Sequence, residues 1–366
     1  MYFAFRTDAS FQIGAGHVMR CISLADEIKH RGGVCTFYSR ELPGNLIFLI
    51  ERRGHKVVPL QKPDSAIKRS SPKSGYASWL GVNYDKDVKD TLTAIGKTKY
   101  DWLIVDHYSL DNLWELEMLT AYKKLMVIDD LANRRHFCDV LLDQNLGRSS
   151  MDYINLVSQN TKFLIGPKFA LLRTEFALLR EKSLNRRVHP QFKTLLISLG
   201  GVDMDNITCT LLRALNASNE LPLDLEITVI MGPNAPWVKD VKEQADKMRY
   251  VVEVVVDCQD MAHKMLISDI SIGAAGSTSW ERCALGLPSI LLCLADNQKA
   301  VIKELSKSGC AIELDFSSYD DDEIRRRLDI ALLLISQNLI SMSKLASQIA
   351  DGNGCKRVVN LMLENI

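Results

Sequence analysis

The sequence carries no surplus of either charge: 45 Lys and Arg residues balance 45 Asp and Glu. No net field draws such a chain toward nucleic acid or an anionic membrane, so a polyanionic partner would need a local patch. The one Lys-rich stretch, residues 62–73, has none of the interleaved aromatic rings that stack on bases. Long apolar runs are missing as well. The longest, 284–295, is broken by Gly286 and Pro288 and falls far short of a bilayer span. Residues 1–6 lack the basic, apolar and small-residue regions of a signal peptide. The nine cysteines are odd in number, with no C-x-x-C pair and no zinc-ligand spacing. They read as small core residues of a reducing compartment rather than a disulfide framework. No Walker motif or G-x-S-x-G elbow occurs, and Met19 stands where a dinucleotide fingerprint needs its third glycine. These absences describe a cytoplasmic protein with no nucleic-acid partner and no membrane insertion.

What is present is an ordinary globular composition, 47% hydrophobic and 25% charged, over 366 residues. That length suggests about two domains. Short β-like runs at 2–6, 34–38, 56–60, 102–105, 125–128 and 140–142 alternate with helical patterns near 18–28, 46–53, 86–97 and 113–122. The rhythm breaks over 144–193, which reads as a connection. It resumes with strands at 194–198, 226–231, 250–256, 270–272 and 289–293, and with helices at 206–217, 238–247, 261–268, 279–285, 297–308 and 321–337. Strands alternating with helices predict parallel sheets covered on both faces. The expected fold is α/β: two doubly wound, Rossmann-like domains facing a cleft, over residues 1–165 and 190–345. Residues 346–366, with a helix over 345–360, are expected to cross back to the first domain. Residues 61–84 read as a long surface loop in which Trp79-Leu80-Gly81 is apolar enough to dock.

In open α/β sheets, ligands bind where strand ends feed helix N-termini. Three such loops stand out. Gly14-Ala15-Gly16-His17 joins the first strand to the first helix. It is either a tight turn with a packed histidine or a close-approach loop presenting a general base. Asp106-His107-Tyr108 ends another strand. Either Asp106 caps backbone amides while Tyr108 packs, or the cluster directs a phenol at substrate. In the second half, Ser198-Leu199-Gly200-Gly201 ends a strand, and Gly273-Ala274-Ala275-Gly276-Ser277-Thr278-Ser279-Trp280-Glu281 ends another and opens a helix. Backbone amides and hydroxyls there suit a diphosphate, with Glu281 placed for ribose hydroxyls. The alternative is a capping box of Ser277 or Thr278 with Glu281. Asp129-Asp130 and Asp320-Asp321-Asp322 lack the further ligands of a metal site.

Together these loops resemble the UDP-sugar hydrolases of pseudaminic acid biosynthesis. The resemblance rests on Phe5-Arg6-Thr7-Asp8-Ala9-Ser10 with Ile13 to Arg20, Val105 to Tyr108, Asp139 to Asn145, Gly166 to Arg173, Ser198 to Asp203, the glycine-serine segment through Glu281, and Asp296-Asn297-Gln298. It implies the glycosyltransferase-B fold and inverting hydrolysis of UDP-2,4-diacetamido-2,4,6-trideoxy-β-L-altropyranose at C1, with no metal and no cofactor. It implies catalytic roles for His17, Tyr108 and Asn297. It also implies substrate binding by Gly14, Gly16, Arg20, Gly200, Gly201, Gly276, Ser277, Thr278, Ser279, Glu281 and Gln298. A glycosyltransferase on the same fold and a non-catalytic nucleotide-sugar-binding protein are the rival readings. Relative to the shortest members, this chain is extended at 61–84 and at its C-terminus.

Overall fold

The computed structural model describes residues 1–63, 75–315 and 320–364, so the loop expected over 61–84 is described only at its two ends. The chain divides into two compact units, Met1–Leu171 with Asn353–Ile366, and Leu172–Gly352.

In the first unit, β1 (Tyr2–Thr7), β2 (Val34–Arg40), β3 (Lys56–Leu60), β4 (Tyr100–Asp106), β5 (Tyr122–Ile128), β6 (Val140–Asp143) and β7 (Lys162–Ile165) form one sheet. Its order is β3-β2-β1-β4-β5-β6-β7, and every pairing is parallel. The strands are apolar on both faces because both faces are covered. Phe3 and Phe5 of β1, Trp102 and Ile104 of β4, and Met126 and Ile128 of β5 enter one core. The alternate residues Ala4, Leu103, Val105, Leu125 and Val127 enter the other. Helix α1 (Gly16–His30) covers the first face with Val18, Cys21, Ile22, Ala25 and Ile28, the helical stripe visible in the sequence. Helices α2 (Ile47–Arg52), α3 (Tyr84–Ile95) and α4 (Asn112–Glu117) complete the crossovers.

The second unit repeats the plan with β8 (Thr194–Ser198), β9 (Glu226–Met231), β10 (Val251–Val256), β11 (Ile270–Ala274), β12 (Ser289–Leu292) and β13 (Ala311–Leu314). The order is β10-β9-β8-β11-β12-β13, again all parallel. Its helices are α5 (Thr174–Arg186), α6 (Ile207–Ala217), α7 (Val238–Ala245), α8 (Met261–Ile267), α9 (Ser277–Ala284), α10 (Lys299–Lys307), α11 (Asp321–Gln337) and α12 (Leu339–Ile349). In each sheet the strand order reverses beside the first strand, between β1 and β4 and between β8 and β11. Ligands of doubly wound folds bind at this switch point.

Several expectations are corrected. The stretch 144–193 is not only a connection, since it supplies the edge strand β7. Its Lys162–Ile165 backbone pairs with β6. Strand β13 likewise adds an edge to the second sheet. Helix α4 stops at Glu117 rather than near residue 122, because Ala121 and Tyr122 are taken up in pairing with Tyr100. The single last helix is two, α12 and α13 (Gly354–Glu364). Gly352 breaks them with φ +79° and packs so closely that a Cβ would lie 2.8 Å from the Ala177 nitrogen. Helix α13 belongs to the first unit. Cys355, Val358, Val359 and Met362 join the α1-side core, and the Trp102 indole donates to the Met362 carbonyl at 3.2 Å. No single described helix is long and apolar enough to cross a membrane.

In the second unit the loops after β8 and β9 touch backbone to backbone: a Cβ on Gly232 would lie 2.0 Å from the Gly201 carbonyl oxygen. Gly232→Ala should therefore cost about 1–3 kcal/mol by overpacking, read as a lowered urea midpoint. An unchanged midpoint would contradict that close approach.

Candidate active site

The loop after β1 folds onto Ser10. Its hydroxyl accepts from the amides of Gln12 and Ile13, and its carbonyl accepts from Gly14 N at 2.8 Å. Gly14 takes the left-handed conformation this turn needs, with φ +79°. Gly16 then opens α1, so His17 is the second helical residue and Arg20 follows one turn later on the same face. Both side chains converge on Asp106, the last residue of β4, which lies beside Thr7 of β1 in register.

His17 Nδ1 is 2.6 Å from Asp106 Oδ1. Arg20 donates to the same carboxylate twice, Nε to Oδ2 and Nη2 to Oδ1, each at 2.6 Å. Its Nη1 donates to Asp130 at 2.7 Å. Burial alone would raise the Asp106 carboxyl, but the Arg20 guanidinium, and after it His17, hold it far below the usual carboxylate range. An ionised carboxylate only accepts hydrogen bonds. The proton of the contact therefore sits on Nδ1, and Nε2 of a neutral imidazole carries the lone pair. This is the orientation of a general base.

Tyr108 closes the arrangement. Its hydroxyl donates to Asp130 at 2.9 Å, and its ring meets the His17 imidazole edge-on at 4.6 Å. Burial and the nearby Asp130 push the Tyr108 hydroxyl well above its ordinary range, so it remains a phenol and a donor. Trp79 stacks on Tyr108 at 5.3 Å, and Tyr76 packs edge-on against both. Beneath the loop, the fully buried Arg6, Asp8, Arg40 and Asp87 form a continuous ion-pair network that fixes the ends of β1 and β2. His107 does not join the site. Its Nδ1 accepts from Ser109 N, while Nε2 faces Asp8 at 3.4 Å.

In the second unit, the loops after β8 and β11 are neighbours because the strands are paired. Gly200 has φ +96°, and a Cβ on Gly200, Gly201 or Gly276 would meet nothing within 4 Å, so these backbones are open to an approaching group. Helix α9 begins after Gly276, with Ser277 and Thr278 half-buried. The cap differs from the capping-box alternative considered for Ser277 or Thr278 with Glu281. Ser279 Oγ accepts from Gly276 N at 3.3 Å, and Arg282 Nη2 donates both to Ser279 Oγ and to the Ala274 carbonyl. Glu281 faces Arg173 at 3.6 Å, and burial raises its carboxyl. Asn297 and Gln298 lie in a 3-10 turn, Asp296–Gln298, after β12. The Gln298 side-chain Oε1 closes that turn by accepting from Leu294 N at 3.0 Å.

His17, Arg20 and Tyr108 thus come together in the first unit, while the glycine-serine loops, Glu281 and the turn Asp296–Gln298 follow strand ends of the second. Sequence reasoning missed three participants. Asp130 was set aside as half of a metal-like pair, although its place at the end of β5, one strand from Asp106, was the available signal. Trp79 was read as docked but without a partner. Arg282 is 2% exposed, and among the described residues no carboxylate ion-pairs with it and its Nε has no hydrogen-bond partner. Burial lowers it to about 10, so it stays charged at neutral pH. A buried guanidinium with no carboxylate in ion-pair contact, behind an open glycine loop, suits an anionic ligand. Among the described residues, no group of three or more His, Cys, Asp or Glu side chains is placed to hold a metal ion.

No protein-family model matches the chain. It is 27% identical over 314 residues to the UDP-2,4-diacetamido-2,4,6-trideoxy-β-L-altropyranose hydrolase of Campylobacter jejuni, covering 85% of this chain and 98% of that protein. It is 23% identical to the spore coat polysaccharide biosynthesis protein SpsG of Bacillus subtilis, over 99% of this chain and 98% of that one. An uncharacterized protein of Methanocaldococcus jannaschii is 25% identical over 84% of this chain, which spans only 60% of that longer relative. Among solved structures, MurG of Acinetobacter baumannii superposes with a TM-score of 0.69 at 16% identity, and the glycotransferase of kitacinnamycin with 0.67 at 14%. Each match covers 99% of this chain and at least 98% of the other. The two parallel-sheet units therefore have the glycosyltransferase-B fold.

The carboxylates near this site titrate in opposite senses. Burial, and then the charge of Asp130, raise Asp143 to about 7, while its side chain accepts from Tyr153 and Asn145 N and faces Arg148 at 3.3 Å. The unfolded chain loses this proton near pH 4 and the folded chain near pH 7. Asp143 therefore makes stability fall as pH rises through that window, by no more than about 1.4 kcal/mol per unit. Asp8, Asp87, Asp106 and Asp129 are all lowered and act the other way, losing their contribution as pH falls below about 4. Urea titrations of wild type and Asp143→Asn from pH 4 to 8 should differ by a component that declines toward pH 7. Parallel curves would contradict the raised Asp143.

Proposed function

We propose that the chain is a sugar-nucleotide-processing enzyme, a hydrolase that releases UDP from UDP-2,4-diacetamido-2,4,6-trideoxy-β-L-altropyranose in pseudaminic acid biosynthesis. Water attacks C1 with inversion, without a metal or cofactor. One observation carries the reading: His17 is held by an ionised Asp106 through Nδ1, which leaves Nε2 to take a proton from water. The homology to the Campylobacter hydrolase over 98% of its length supports the same chemistry.

The step balances simply. The water oxygen forms its bond to C1 as the bond from C1 to the diphosphate oxygen breaks. One water proton goes to His17 Nε2, and the electron pair of the broken bond leaves with UDP. A nucleoside diphosphate is a good leaving group, so no second carboxyl acid is needed, unlike ordinary glycosidases. Tyr108, fixed by Asp130, is assigned to holding the sugar or the water, and Asn297 to the sugar. Gly14 and Gly16 shape the base-bearing turn, and Arg20 acts by positioning Asp106. The UDP moiety is assigned to the second unit: Gly200, Gly201 and Gly276 to Ser279 for the diphosphate, Glu281 for the ribose, and Gln298 for loop shape. The charge gathering on the leaving diphosphate is met by helix N-terminal amides and by the field of Arg282.

Purified protein with this substrate and EDTA should release UDP and free sugar without any acceptor. Substrate that stays intact until an acceptor alcohol is added would make the chain a transferase instead. His17→Asn and Asp106→Asn should each lower kcat by roughly 10²–10⁴-fold, the usual worth of a positioned base, while UDP affinity changes little. Near-normal turnover by His17→Asn would remove His17 from the chemistry.

A further inference from the structure

The wall beside His17 is built by the segment that leads into α3. Residues Ala77–Leu80 form a 3-10 turn after the undescribed stretch 64–74. The turn is clamped from both sides. Leu80 and Val82 enter the core under β4 and β5, and the Ser109 hydroxyl donates to the Tyr76 carbonyl. Gly81 ends the turn at φ +69°, packed so tightly that a Cβ would lie 2.7 Å from Leu42 and 2.8 Å from Pro63. Trp79 itself is only half-buried. One face of its indole covers Tyr108, with an interplanar angle of 21°, and its plane stands at 75° to the His17 imidazole, 6.1 Å away between centroids. Tyr76 backs the indole edge-on at 4.8 Å. Around the base there is therefore a continuous aromatic surface of Tyr76, Trp79 and Tyr108, anchored by hydrogen bonds and core packing.

We propose that Trp79 is a specificity-determining residue of the sugar site, an inference that rests on the hydrolase reading above. A sugar presenting C1 to a water on Nε2 lies within reach of an indole this close to the imidazole. An aromatic wall takes up C–H edges and methyl groups and leaves sugar hydroxyls without a hydrogen-bond partner. It thus favours a deoxy, N-acylated sugar, rich in methyl groups, over a fully hydroxylated one. Discrimination by one such apolar contact is worth about 10–200-fold.

The test compares wild type, Trp79→Ala and Trp79→Phe with UDP-2,4-diacetamido-2,4,6-trideoxy-β-L-altropyranose as substrate and UDP-glucose and UDP as competing ligands. W79A should raise KM for the substrate about tenfold or more, with the loss falling on KM rather than kcat. UDP inhibition should be unchanged, UDP-glucose should gain relative to the substrate, and W79F should recover most of the effect. If wild type turns over and W79A keeps its KM, or loses only kcat, the inference is overturned while the hydrolase reading stands. If wild type binds the nucleotide sugar but leaves it intact, the hydrolase reading fails. Calorimetric affinities of the same variants then decide the contact, since a tenfold loss in W79A supports it and equal affinities overturn it. Absence of any binding by wild type overturns both.

Discussion

The geometry of the first unit depends on one buried carboxylate. Asp106 sits at the end of the strand next to β1, has no exposure to solvent, and receives His17 and Arg20 from successive turns of the same helix. An isolated buried carboxylate is costly. This one is stabilised because the guanidinium is bidentate, the imidazole binds Oδ1 and the Cys21 thiol donates to Oδ2. The arrangement constrains outward as well as inward. Arg20 passes the constraint to Asp130, and Asp130 holds the phenol of Tyr108. Asp106 thereby orients the imidazole directly and, through Arg20 and Asp130, the aromatic ring against which the imidazole rests. Removing one partner from such a network leaves an uncompensated buried charge, which commonly costs 3–5 kcal/mol.

The second unit solves the complementary problem with little charge. Its strand ends present glycine backbones and the start of α9, and the buried Arg282 beneath them donates to carbonyl and hydroxyl groups. Arg282 also explains why residue 273 is glycine, since a Cβ there would sit 2.2 Å from its Nη1. A loop that is open, rich in amides and underlain by a buried guanidinium has the chemistry of an anion site. The two units thus carry different side chains at the same topological position: a histidine held by a buried carboxylate in the first, and open glycine backbones at a helix start in the second, which on the proposed reading serve as base and anion cradle.

Much of this was legible in the amino-acid sequence because it is local. The short apolar runs of β1, β4 and β5 and the stripe Val18, Cys21, Ile22, Ala25 and Ile28 declare the layered sheets. Glycines at strand ends declare where a backbone must turn or be approached. His17 and Tyr108 could be singled out because each stands in such a loop. What was not legible depends on register between distant strands. Asp130 joins Tyr108 and Arg20 only because β4 and β5 are neighbours, and the ion pair spans 110 residues. Trp79 faces His17 only because a short turn is pinned by Ser109 and by the core beneath it. The edge strands β7 and β13 have four residues each, too short to show a period. The break between α12 and α13 hides in a helical pattern that continues on either side of Gly352.

The central claim is that the Asp106-held imidazole directs water to the anomeric carbon. Hydrolysis in 18O-enriched water, followed by early-time phosphorus and proton NMR of the products, tests it most directly. The account predicts that the label appears only in the C1 hydroxyl of a sugar with inverted anomeric configuration, and that UDP remains unlabelled. Label in the terminal phosphate of UDP would mean attack at phosphorus, and a retained anomer would mean a covalent or double-displacement route. Either result would contradict the role given to His17.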